Sequence, residues 1–178
     1  MKTYTAEKVF KTAAQFHTAS IYISSSGLDG KRKMASAMVV NQAFAVELYF
    51  KSLILDQTGS PATGHGLVEL FNKVDPATQA DIHMKYDILR SEDPTRSYWE
   101  APKPAGAGRS LAFVDVLNDG DKAFQQWRYF HEYFTGGAIL SWFGGALAEA
   151  TRLTILEIHP DWRKHSEGIM RPPTSQLQ

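Results

Sequence analysis

Arg152 and His159 are the pair in this sequence with the most specific chemistry to offer. An arginine can hold a phosphate through paired N–H donors, and a histidine can accept the proton of a 2′-hydroxyl. Together they could cleave RNA without a metal ion. They stand seven positions apart, almost two turns of helix, which puts both side chains on one face with Ile155 between them. His159 immediately precedes Pro160, so the competing reading is a structural histidine that meets the last carbonyls of its helix.

A second polar set sits inside apolar rows. Glu47 and Lys51 share a helical row with Val40, Phe44 and Ile54. They are four apart with Glu first, the favourable order for a helical ion pair. Asn41 shares the row of Met38 and Ala45. Polar groups are costly to bury unless partnered, so the set reads as a polar site or an interhelical network; the competing reading is a solvated edge. His65, in Gly64-His65-Gly66-Leu67, stands before a short helix and can bond backbone or a carboxylate such as Glu47. Arg128, His131 and Glu132 lie in an aromatic stretch with Trp127, Phe130 and Phe134. Arg128 can bind phosphate or pair with Glu132 or Glu47. His17, among Phe10 and Ile21, reads as a packed core or interface histidine. The chain has no cysteine and no His-Glu-x-x-His spacing, so neither a metal nor a cofactor is expected.

Helices must position these residues. Val9, Ala13, Phe16, Ser20 and Ile23, with the neighbouring row of Phe10, Ala14, His17 and Ile21, predict a helix over 5–25. Three apolar rows over 31–58 predict a second, long and central helix, stopped by Gly59-Ser60-Pro61. A short helix is expected over 66–74. Asp75-Pro76 reads as N-cap and first-turn proline of a helix to about residue 90. The segment 91–109, with three prolines and two glycines, reads as a long surface loop. Ser110 caps a helix over 111–117, Asn118-Asp119-Gly120 interrupts it, and Asp121 restarts one through 134. The last helix covers 145–158 and Pro160 ends it; the tail from 168 is expected to fray. The expected fold is therefore all-α, one domain over 1–178, an up-and-down bundle of four to six helices.

The stretch Ala43-Phe44-Ala45-Val46-Glu47-Leu48-Tyr49-Phe50-Lys51-Ser52-Leu53, followed by Gly64-His65-Gly66-Leu67-Val68-Glu69-Leu70-Phe71, resembles the HEPN superfamily. The later Ala123-Phe124, Trp127-Arg128-Tyr129 segment also looks like one seen in bacterial members. The resemblance implies a helical bundle, often a homodimer, in bacterial defence, toxin–antitoxin or stress systems. Many relatives are metal-independent ribonucleases with an Arg-x4–6-His motif; others lack it and serve as binding modules. Arg152 and His159, with six residues between them, match that spacing at its upper limit, with Leu153 where the family commonly carries a polar residue.

Composition narrows the partners. In 178 residues, 43% are apolar and 21% charged, and the formal charge is zero. Such a balance suits a globular domain and gives no global field to attract nucleic acid, although a local basic patch is compatible with it. The N-terminal MKTYTAEKVF has no apolar core of the kind a signal peptide needs. The longest apolar-leaning stretch, 138–148, is broken by Gly144 and Gly145 and is too short to span a bilayer. A cytoplasmic protein without membrane partners is expected. Three functions follow: a non-catalytic HEPN-like module binding a nucleotide, RNA or protein partner through Glu47, Lys51, His65 and Arg128; a metal-independent endoribonuclease using Arg152 and His159; and a dimeric structural protein in which every polar residue named is part of a satisfied network.

Overall fold

A computed structural model describes residues 4–26, 33–92, 111–121 and 144–166. Every regular element among them is helical: α1 (Ala6–Ser25), α2 (Ala35–Thr58), α3 (Leu67–Phe71), α4 (Pro76–Glu92), α5 (Phe113–Asp121), α6 (Gly144–Ile158) and a 3-10 helix (Pro160–His165). The fold is an all-α bundle. The expected aromatic helix beyond Asp121, with Arg128, His131 and Glu132, lies outside the described residues, as do most of the 91–109 loop and the tail from 168.

α1 starts where Thr5 Oγ1 accepts the Lys8 N–H at 3.3 Å. It runs antiparallel to α2. The Ser52 hydroxyl donates to the Ala6 carbonyl at 2.9 Å. The Phe10 and Tyr49 rings are 5.6 Å apart, and Phe16 meets Phe44 edge-on at 4.6 Å. Numbers rise on one helix as they fall on the other.

α2 is the centre of the core, packed between α1 and α6. It buries Val39, Val46, Tyr49, Phe50, Leu53 and Ile54, among others. By length and composition it could cross a membrane, but 67% of that apolar window is buried inside the protein, the pattern of a core helix. This corrects the reading that placed the longest apolar-leaning stretch at 138–148. Glu47 and Lys51 break the α2 run in sequence, yet they neutralise each other in the fold at 2.7 Å. Gly59 ends α2 with φ 69° and donates to the Leu55 carbonyl at 2.9 Å, a left-handed cap that suits glycine.

α4 begins as expected: Asp75 Oδ1 accepts the N–H groups of Ala77 and Thr78, each at 3.0 Å, with Pro76 in the first turn. The Asp75 N–H donates to Gln57 Oε1 at 3.1 Å, which joins the end of α2 to the start of α4.

α5 departs from expectation. Asn118-Asp119-Gly120 does not interrupt it; the helix continues through to Asp121. Such residues disfavour helix by up to about 1 kcal/mol each, a cost that packing can outweigh. Here Phe113, Val116 and Leu117 are buried, with Phe113 5.2 Å from the Phe71 ring. Asp121 is itself helical, and the helix expected to restart there lies outside the described residues. The Asp121 Oδ1 accepts the Val68 N–H of α3 at 3.0 Å.

Candidate functional site

α2 and α6 meet at three levels in one constant register. At the first, a Cβ on Gly145 would stand 3.3 Å from Gln42 Nε2. At the second, the Tyr49 hydroxyl lies in the field of the Arg152 guanidinium. At the third, His159 Nε2–H donates to Asp56 Oδ2 at 2.9 Å. Numbers rise together, so the helices run parallel. Successive levels are seven residues apart on both, the spacing that keeps a seam between two helices facing inward. Arg152 and His159 do share a face, as their spacing predicts. That face is turned against α2.

Arg152 is 1% exposed. Its Nε and Nη2 donate to the two carboxylate oxygens of Glu149 at 2.8 and 2.6 Å, and Nη1 donates to Ser166 Oγ at 3.4 Å. Burial alone raises the Glu149 carboxyl, but the bonds and charge of Arg152 outweigh it and hold the group below its usual range. Burial likewise opposes the Arg152 charge, and Glu149 reverses the balance. His17 Nδ1 lies 3.4 Å from the Tyr49 hydroxyl, and both are buried. Desolvation brings His17 down to about 4; Glu149 opposes the shift and Arg152 adds to it. Desolvation pushes the Tyr49 phenol up. The result is an array of buried His17, Tyr49 and Arg152 with half-buried Glu149, spanning α1, α2 and α6.

The His159 backbone N–H donates to the Ile155 carbonyl at 2.8 Å, but its side chain does not meet the closing carbonyls of α6. It bonds Asp56 and stacks on Trp162, with ring centroids 3.9 Å apart and planes 8° from parallel. Arg152 and His159 are thus engaged at successive levels of one seam by different α2 residues.

The second set does converge. Glu47 is 1% exposed on α2, so the solvated-edge reading is set aside for it. Its Oε1 accepts from Lys51 Nζ at 2.7 Å and from His65 Nδ1–H at 3.0 Å. The His65 side chain is 66% exposed, on a loop where Gly64 takes φ 88°. A buried carboxylate therefore holds a largely covered cation, 13% exposed, and an exposed imidazole. Asn41 does not join them; its amide donates to the Ala37 carbonyl of its own helix at 2.7 Å. No cluster of metal-ligating side chains is present among the described residues.

Sequence reasoning missed Glu149, Tyr49, Asp56 and Trp162. Glu149 stands three before Arg152, a spacing that signals a helical pair. Asp56 gives no such signal, because only the fold brings it to His159. No family model, no curated protein and no solved structure matches this chain.

Proposed function

We propose that this chain is a non-catalytic, HEPN-like helical module that binds the phosphate of a nucleotide or RNA at the Glu47–Lys51–His65 edge. The observation that supports this reading is the difference between the two sets. The Arg152 guanidinium is buried on Glu149, where a scissile phosphate has no room. Lys51 and His65 instead converge on one buried carboxylate oxygen with the imidazole exposed. A cation and a protonatable ring fixed from below suit a phosphate group. The resemblance adds a bacterial defence or toxin–antitoxin setting as the context for such a module.

Thermal unfolding with a panel of nucleotides and short RNAs tests the reading. Stabilisation that is lost in His65→Ala, with the unliganded melting temperature unchanged, is the expected result. No stabilisation by any nucleotide or RNA overturns the phosphate ligand and favours a protein partner. Incubating RNA with the protein in EDTA tests the absence of catalysis. Degradation by the native chain but not by His159→Ala overturns it. His159 is the variant of choice, since removing the buried Arg152 leaves a cavity and a half-buried Glu149 without its partner, which threatens the fold itself.

A further inference from the structure

α3 begins without a cap of its own. Its N-cap residue is Gly66, which has no side chain to accept an N–H, and the acceptor comes from another helix. Asp121 Oδ1, at the end of α5, takes the Val68 N–H at 3.0 Å. Val68 is the second residue of α3, where a capping oxygen ordinarily binds. Asp121 thus does from 53 positions away what a serine or aspartate at position 66 would do locally. The same contact accounts for Gly66. A Cβ there would stand 3.1 Å from Asp121 Oδ1, although the backbone, with φ −70°, suits any residue.

His65 is the next residue back along the chain, so Asp121 fixes the point from which the imidazole reaches Glu47. The His65 side chain is 66% exposed, and packing does little to hold it. Its Nδ1–H bond to Glu47 competes with water and persists only if the backbone is held where the ring can reach. α3 touches the loop a second time: a Cβ on Gly64 would meet Glu69 Oε2 at 3.6 Å. We propose that Asp121 is the positioning residue of the His65 site: by capping α3 from α5 it keeps the imidazole on the buried Glu47, beside Lys51, and so presets the pair for a ligand. Its value to a ligand rests on the phosphate reading proposed above.

Imidazole 15N spectra of the unliganded full chain, with the His65 signal assigned through His65→Ala, test the positioning directly. Donation from Nδ1 to Glu47 selects the Nδ1–H tautomer, whereas a ring released to water favours Nε2–H. Asp121→Ala is expected to lower the ratio of Nδ1–H to Nε2–H by about threefold or more, and Asp121→Asn, which keeps the accepting oxygen, to preserve it. Gly66→Ala presses a Cβ on the same carboxylate. It should lower the ratio in the native background and have no further effect in the Asp121→Ala background. An unchanged ratio in Asp121→Ala, or an equal drop in Asp121→Asn, overturns the role. So does an Asp121→Ala chain that no longer folds, which places Asp121 in the stability of the bundle and not in the site. Titration with inorganic phosphate, read on the His65 signal, tests the service to a ligand separately. Binding that weakens about threefold or more in Asp121→Ala but not in Asp121→Asn supports it, and equal affinity in all three chains overturns it. A native chain that binds no phosphate overturns the phosphate reading, while the unliganded spectra still decide the positioning role.

Discussion

Arg152 shows how a residue whose chemistry suits catalysis is tied into the fold. Its charge is kept inside the bundle by two bonds to Glu149, and the same charge bears on His17 and Tyr49. Such an ion pair adds little net stability, and because both partners lie on α6 it fixes no register by itself; its charge reaches the neighbouring helices through His17 and Tyr49. His17 makes this array sensitive to acid. Its folded pKa is brought down to about 4 by burial, below the ordinary value near 6.5. A histidine depressed on folding binds fewer protons in the native state than in the unfolded one. Its neutral form is therefore compatible with full stability above about pH 6.5, and stability falls as pH drops from there toward 4. The expected loss between pH 7 and 5 is about 2 kcal/mol. Urea titrations at the two pH values measure it. His17→Gln should remove most of the difference, and an unchanged pH dependence in that variant would place the sensitivity in another group.

The helix ends explain what was legible at the scale of elements. Asp75-Pro76 and Gly59 carry their structural role in their own chemistry, one as an acceptor for exposed N–H groups and the other as a residue free to take φ 69°. Both were readable because capping is local in sequence. Gly59 allows a clean measurement. A Cβ placed there meets nothing within 4 Å, so Gly59→Ala changes only backbone conformation. It should cost about 1 kcal/mol in chemical denaturation, with α2 otherwise intact by circular dichroism. No loss would mean that the cap can relax without penalty. α5 was misread for the opposite reason: Asn118, Asp119 and Gly120 favour a stop locally, and the forces that override them come from Phe71 and Val68, some fifty positions away in sequence. The polar set divides along the same line. Glu47 and Lys51 are one helical turn apart, so their pairing could be read from spacing, and His65 sits on the first loop after their helix. Asp56 and His159 are 103 positions apart, and no local pattern connects them. The seven-residue interval between Arg152 and His159 was visible, but the interval alone suits a ribonuclease motif and a parallel helical seam equally. Tyr49 and Asp56 repeating the interval on α2 is what identifies the seam.

For the molecule as a whole, α2 determines how stability is distributed. It packs on α1 along one side and α6 along another, with α3 near its end, and its residues supply a large share of one continuous core that reaches from Phe10 to Trp162. Opening α2 locally would expose Tyr49, Phe50 and Leu53 and break the buried array in the same step. Its amides between residues 43 and 55 should therefore exchange with solvent only through global unfolding. α3 is five residues long, its N-terminal N–H on Val68 held by the single side chain of Asp121. It should open at lower free energy, independently of the core. Native-state hydrogen exchange with increasing urea distinguishes these regimes. The α2 amides are expected to converge on the global unfolding free energy with the full denaturant slope, and those of α3 to exchange earlier with little slope. Fast exchange through the middle of α2 would contradict its place at the centre of the bundle. Slow exchange in water, without detergent, is also what separates a buried core helix from an apolar helix of similar length that depends on a bilayer to cover its faces.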